Sequence, residues 1–237
     1  MFLSSLVRII LNKFDYFQQK KILKFLKSKL NDNITVIDVG AHHGETISLF
    51  NKNFDIKELH AFEASPLNFK ILMKKYKKKK YENKITLNNF ALGESEYESF
   101  INQTIESSSS TINDINENSN YFKRKKKILT FFVNKKFSIQ VPINIITLDK
   151  YLESKNINHI DLIKIDTEGY EFMVLKGLFK NFINVDIVYF EHHYDNMIKK
   201  GYKFADINNL LLKNNFKKVY KSKMIFRKSF EYIYIKK

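Results

Sequence analysis

Apolar residues in this chain gather into short continuous runs, with stretches of helical spacing between them. Ile34–Val39, Leu59–Phe62, Ile85–Phe90, Leu162–Ile165 and Val185–Phe190 are runs of four to six residues rich in β-branched and aromatic side chains. Runs that short and that continuous read as strands buried on both faces. Helical spacing follows most of them: Thr46–Phe50, Pro66 to about Tyr76, Thr147–Leu152, about Tyr170–Leu178 and Phe204–Lys213. Pro66 suits a first helical position, where its missing N–H costs nothing. Thr147 is an N-cap residue with Asp149 in the first turn behind it. The alternation predicts a doubly wound α/β sheet. Phe216–Lys221 and Glu231–Ile235 then read as a closing antiparallel hairpin.

Two regions depart from that rhythm. In residues 1–30, Leu6, Ile10, Phe14 and Phe17 keep helical spacing, and Leu23, Leu26 and Leu30 resume it, predicting one or two amphipathic helices that lead into the sheet. No run there reaches membrane-spanning length, and no small-residue cleavage site follows. In Glu94–Asn144, Tyr97–Ile101 and Phe137–Val141 alternate like the strands of a ribbon. Between them Glu106–Lys127 has no periodicity and reads as a long loop carrying four serines, Ser107–Ser110. The expected organisation is a helical extension over 1–30 and one large domain over 31–237 with a ribbon and loop insertion at 94–144.

The polar residues that interrupt the pattern sit at strand exits. Asp38 lies near the end of the first run, followed by Gly40 and Gly44. A dinucleotide turn would need glycine at positions 42 and 45, where the chain has His42 and Glu45. The turn is instead D-x-G-x-x-x-G, with little to cradle a pyrophosphate and room for a cofactor without phosphate, such as S-adenosylmethionine. The glycines let a ligand approach the backbone where no Cβ intervenes. Glu63 ends the second strand, 23 residues after Gly40, where a carboxylate can accept from both hydroxyls of a ribose. Ala91, past the third strand, falls where an adenine would approach.

The fourth strand breaks its apolar run with Lys164 and Asp166, two residues apart and so on one face. Glu168, Gly169 and Glu171 follow. Such charges are costly to desolvate unless paired. The fifth strand exits into Glu191, His192, His193, Tyr194 and Asp195. Ligands of open α/β sheets bind at those ends.

Composition changes little. The formal charge of +16 invites a nucleic-acid partner. Yet only Arg8, Arg124 and Arg227 among the 41 basic residues are arginine, the residue that forks onto phosphates and guanines. The runs Lys74–Lys80 and Lys123–Lys127 read as solvated faces. Lys20, Lys21, Lys24, Lys27 and Lys29 leave peripheral membrane contact as a minority reading. With no cysteine, disulfides and thiolate metal sites are excluded.

The motifs VIDVGAHHG, LHAFEASP, NNFALGE, the serine run followed by TI, ITLDKYL and IDLIKIDTEGYEFMVLKG occur in order over about Asn33–Asp195. In this the chain resembles the FkbM-type S-adenosylmethionine-dependent methyltransferases, KIDTEGYE with the downstream LKG being the most specific part. His43, where the family often has an aliphatic residue, and EAS for the frequent EPN are modest departures. The resemblance implies a class I methyltransferase fold: a Rossmann-like, mostly parallel seven-stranded sheet with a C-terminal antiparallel hairpin. It also implies methyl transfer, usually to oxygen, on glycan sugars or natural products.

On that reading Asp38 or the backbone at Gly40 and Ala41 holds the methionine end of the cofactor, with His42, Gly44 and Ala64 also expected to contact it. Glu63 takes the ribose, Ala91 the adenine, and Asp166 faces the sulfonium or the acceptor. His192 or His193, then Glu168, are candidates for the base, with Lys164 orienting the carboxylates. Asp166, Glu191 and His192 could together hold a divalent cation. The expected partner is a small-molecule or glycan acceptor in the cytoplasm, with nucleic acid disfavoured. An RNA methyltransferase and an inactive cofactor-binding scaffold are the competing readings.

Overall fold

The runs of apolar residues form the strands of one central sheet. The computed structural model describes residues 18–77, 84–104, 107–130, 137–224 and 228–237. The first helix, α1 (18–27), leads into β1 (Ile34–Val39), α2 (Glu45–Asn53), β2 (Ile56–Phe62), α3 (Pro66–Tyr76) and β3 (Ile85–Asn88). The chain then leaves the main sheet for β4 (Ala91–Leu92), β5 (Tyr97–Thr104), α4 (Asn120–Thr130) and β6 (Ser138–Ile146). It returns through α5 (Leu148–Lys155), β7 (Ile160–Ile165), α6 (Glu171–Lys176), β8 (Val185–His193), α7 (Phe204–Lys213), β9 (Phe216–Lys223) and β10 (Ser229–Lys236).

The main sheet has seven strands in the order β3-β2-β1-β7-β8-β10-β9. The first five run parallel, and β10 is antiparallel to both β8 and β9. This is the doubly wound sheet with a C-terminal hairpin expected from the pattern. Alternate residues feed two cores. Ile34, Val36 and Leu162 pack with Leu26, Ile47 and Leu72 under α1, α2 and α3. Ile37, Ile163 and Val188 pack with Leu152, Val174 and Ile207 under α5, α6 and α7. Each such side chain contributes roughly 1.5–3 kcal/mol on burial.

The helix starts follow local chemistry. The Ser65 hydroxyl accepts from the Asn68 N–H and Pro66 takes the first turn of α3; Thr147 accepts from the Lys150 N–H at α5. β5 and β6 form the antiparallel ribbon, longer than the pattern showed, and β4 joins β6 in a separate three-stranded sheet.

One expectation needs correction, and another gains a structural reason. Residues 106–127 are not one long loop: Ser107–Ser109 form a 3-10 turn and α4 begins at Asn120. Its pattern was hidden because Phe122 is the only buried side chain described on the helix and the basic run Lys123–Lys127 follows it directly. The glycines of the first turn also answer to the fold before any ligand. A Cβ on Gly40 would lie 1.9 Å from the Asp166 carbonyl oxygen, and one on Gly44 2.3 Å from the Tyr76 ring. Both have positive φ, 84° and 80°. The expected helical spacing at Leu6, Ile10, Phe14 and Phe17 lies outside the described residues, as do Lys78–Lys80. No described helix is long and apolar enough to cross a membrane.

Candidate active site

The carboxyl ends of β1, β2 and β7 meet over a cleft, open in part to solvent, lined by Gly40, Glu63, Ala64, Ala91, Asp166 and Glu168 among others. A second, wider hollow, also open in part to solvent, shares Gly40, His42 and Asp166 with it and extends over Lys164, Glu191 and Glu231.

Glu63 is almost fully buried at the end of β2. It accepts from the His42 N–H at 2.8 Å, the Ser65 N–H at 2.9 Å and the Asn68 amide at 3.4 Å. Burial raises its pKa against these hydrogen bonds. A carboxylate offers about four lone-pair sites, so it can still accept from a ligand. His42 has φ 48°, and its Nε2 and the Ser107 hydroxyl share a hydrogen bond at 2.7 Å, so the serine turn forms one wall of the cavity.

Asp38 is fully buried, and neither carboxylate oxygen has a hydrogen-bond partner among the described residues. The Lys164 ammonium lies 4.0 Å away and also bridges Asp166 at 3.2 Å. Burial, partly offset by Lys164, pushes Asp38 up to about 6. Lys164 is raised despite its burial, because Asp166 and Asp38 favour its charge.

The turn after β7 is clamped from beneath. Glu171, completely buried, accepts from the Thr167 N–H, the Thr167 hydroxyl and the Gly169 N–H at 3.3, 3.2 and 2.9 Å, and from the Tyr202 hydroxyl. From above, the Thr111 hydroxyl donates to the Glu168 carbonyl at 2.8 Å and the Asn113 amide donates to the Gly169 carbonyl at 2.6 Å. Held so, Glu168 adopts φ 51°, a conformation that non-glycine residues seldom take.

The two histidines part company. His193 Nε2 lies 3.5 Å from both Glu168 and Glu191. Burial opposes its charge, but Glu168 and Glu191 prevail and raise it to about 9. Burial pushes Glu168 the other way, up to about 7, with His193 restraining the rise. His192, expected as a base, is corrected. It sits on the opposite face of β8, 2% exposed, with Tyr194, Tyr202 and Phe204 rings 4.8–5.8 Å away. Burial lowers it to about 3, so it stays neutral.

The expected metal set changes for the same reason. Asp166, Glu191 and His193, not His192, bring ligand atoms within 4.8 Å of one another. His193 would have to lose its proton to ligate.

Two residues the sequence reading passed over belong here. The Tyr189 hydroxyl donates to Glu231, and both line the second hollow. The available signal was a single carboxylate in the otherwise apolar and aromatic run Phe230–Ile235.

S-adenosylmethionine, which the first turn and Glu63 suggest, is compatible with these residues. The orphaned Asp38 carboxylate, the spare lone pairs of Glu63 and the cavity against Ala64 and Ala91 offer the acceptors and apolar walls it requires.

Known proteins agree on the fold. The family described as Methyltransferase FkbM domain matches residues 38–218. A crystal structure of methyltransferase FkbM from Methylobacillus flagellatus is similar with a TM-score of 0.55 at 14% identity, over 86% of this chain and 44% of that one. The chain thus spans under half the length of that protein. A candidate tRNA methyltransferase from Streptococcus pneumoniae has a TM-score of 0.51 at 14% identity, over 91% and 69%. Magnesium protoporphyrin IX methyltransferase from Synechocystis with bound SAM has 0.50 at 10% identity, over 95% and 81%. A comparison with curated proteins gives no match to this sequence. With the family matched over residues 38–218 and this sheet order beneath it, the chain belongs to the FkbM methyltransferase domain family.

Proposed function

We propose that this chain is an S-adenosylmethionine-dependent methyltransferase that methylates a sugar hydroxyl in a glycan or related metabolite. The observation that carries the reading is the placement of Glu63. It is tied to the glycine turn through the His42 N–H and still faces the cavity. In this reading Glu63 holds the ribose, and Ala64 and Ala91 wall the adenine. Asp38, Gly40, Ala41, His42 and Gly44 form or support the methionine end, with Asp166 between the two hollows. Bound there, the cofactor supplies an electrophilic methyl group on a sulfonium.

The chain's own work is alignment and proton removal. Glu168 lines the cavity and titrates near neutrality, which suits a general base. We assign it to take the acceptor's hydroxyl proton on its carboxylate. His193, protonated beside it, is a positioning residue, and Lys164 fixes Asp38 and Asp166. This replaces the expectation that a histidine is the base.

The RNA reading is weaker. Asp166, Glu191 and Glu231 line the second hollow, where a phosphate backbone would meet carboxylates. It predicts salt-sensitive RNA binding. The reading is tested by calorimetry with S-adenosylhomocysteine and then by incubation with labelled cofactor and a panel of glycans. Micromolar binding and a one-methyl mass increment support it. Lack of S-adenosylhomocysteine binding favours the scaffold reading.

A further inference from the structure

The second hollow is larger than a methionine tail needs, and its far end lies on other strands. Glu63 fixes the ribose at β2, so the donor's tail runs out over β1 and β7. Glu191 is on β8 and Glu231 on β10, two and three strands from β1. At about 4.8 Å per strand, Glu231 is roughly 10 Å from β7, past the strands that the tail covers.

Glu191 and Glu231 are directly opposite each other in the β8–β10 ladder. Like charges in that position repel. Glu231 is 6% exposed. Its Oε1 accepts from the Tyr189 hydroxyl, and its Oε2 has no hydrogen-bond partner among the described residues. Asp166 and Glu45 line the same hollow, and Lys164 is the one ammonium among its described lining residues. Lys164 pairs with Asp166, His42 lies beside Glu45 and protonated His193 lies beside Glu191, so Glu231 is the carboxyl group of this recess with no described cationic side chain within ion-pair distance.

A buried carboxylate atom without a donor is costly, and a second carboxylate facing it adds to the cost. A neutral hydroxyl could donate to Glu231 but would leave the excess charge in place. An anionic group would increase it. An ammonium does both jobs, donating to the orphaned oxygen and offsetting the charge.

We propose that the Glu191–Glu231 end of the second hollow anchors a protonated amine of the acceptor, so that the substrate class is an amino sugar or similar hydroxylated amine. The anchored amine is distinct from the hydroxyl that is methylated, and the inference rests on the methyltransferase reading above. Burial and the neighbouring Glu191 and Asp166, against the Tyr189 hydrogen bond, raise Glu231 to about 8, and an ammonium would return it to its charged form.

The test uses the full chain saturated with S-adenosylhomocysteine. Binding of methyl glucosaminide and methyl galactosaminide is compared by calorimetry with that of the matching methyl glycosides and N-acetylated forms. An amine preference of at least tenfold is expected for one pair. Glu231→Gln, which keeps the Tyr189 contact, should reduce that preference to below threefold. If no amine-bearing glycoside outbinds its neutral partners, the proposal is overturned. It is equally overturned if Glu231→Gln folds, as judged by circular dichroism, and keeps the full preference. If Glu231→Gln fails to fold, the wild-type comparison decides alone. Failure to bind S-adenosylhomocysteine would sink the methyltransferase reading instead, so the two failures are separable.

Discussion

The hydroxyl of Thr111 donates to the carbonyl oxygen of Glu168 at 2.8 Å, across 57 positions of sequence. Through that bond, and the Asn113 bond beside it, the segment after the serine turn holds down the backbone turn that presents Glu168. That segment is itself bridged to β5 between Asn102 and Thr111, so it ties the second sheet to the turn after β7.

Thr111 is 1% exposed, so Thr111→Val removes its bond to Glu168, and the one it accepts from the Asn113 N–H, at nearly constant volume. A loss of about 1–2 kcal/mol is expected, or a fall of roughly 3–6 °C in Tm for a chain of this size. Turnover should fall more than S-adenosylhomocysteine affinity, because the bond supports Glu168 and not Glu63. Unchanged turnover would show that the turn holds itself.

Glu63→Gln should weaken S-adenosylhomocysteine binding by about tenfold or more, since the amide keeps one acceptor oxygen and loses the charge. Glu63→Ala should also lower stability by about 1–3 kcal/mol, because it leaves the His42 and Ser65 N–H groups without their acceptor. Calorimetry and thermal melts of the two variants separate the effects. Full affinity in both would remove Glu63 from the ribose.

Rate should depend on pH in a bell. Glu168 must lose its proton, so kcat/KM should rise through about pH 7. His193 must keep its proton, so kcat/KM should fall through about pH 9. The two groups are coupled, so these limbs belong to the pair. In stability the sign is fixed by His193: its folded value is raised from 6.5 to about 9. Its contribution is complete below the unfolded value and disappears as pH rises through about 9. Glu168→Gln should cost about 10²–10⁴ in kcat and flatten the acidic limb. A profile that rises only above pH 9 would restore a histidine base.

His192→Phe should leave turnover within about threefold, because the ring occupies an aromatic nest away from the cavity. A large loss of turnover in a folded variant would contradict the assignment of His193 to the site.

Gly40→Ala should destabilise by well over 2 kcal/mol. Its Cβ would lie 1.9 Å from the Asp166 carbonyl oxygen, at a φ of 84°. Normal thermal stability in this variant would mean the β1–β7 junction can yield.

The sequence alone determined the sheet, its parallel sense, the closing hairpin, and the strand exits where charged residues collect. Those features are written in periodicity: continuous apolar runs need two covered faces, and a polar residue at a strand's end needs water, a partner or a ligand. The choice between His192 and His193 was also within reach. Had β8 been extended past Phe190 to His193, alternation would have placed Glu191 and His193 on one face and His192 on the other. What only the tertiary structure decided lies between distant segments. Thr111 meeting Glu168, Tyr189 meeting Glu231, and Glu191 facing Glu231, in segments 40 to 57 positions apart, depend on register and on where α4 and the second sheet settle. Local pattern carries no record of such pairings, because they are fixed by packing of the whole sheet and not by the spacing of any one run.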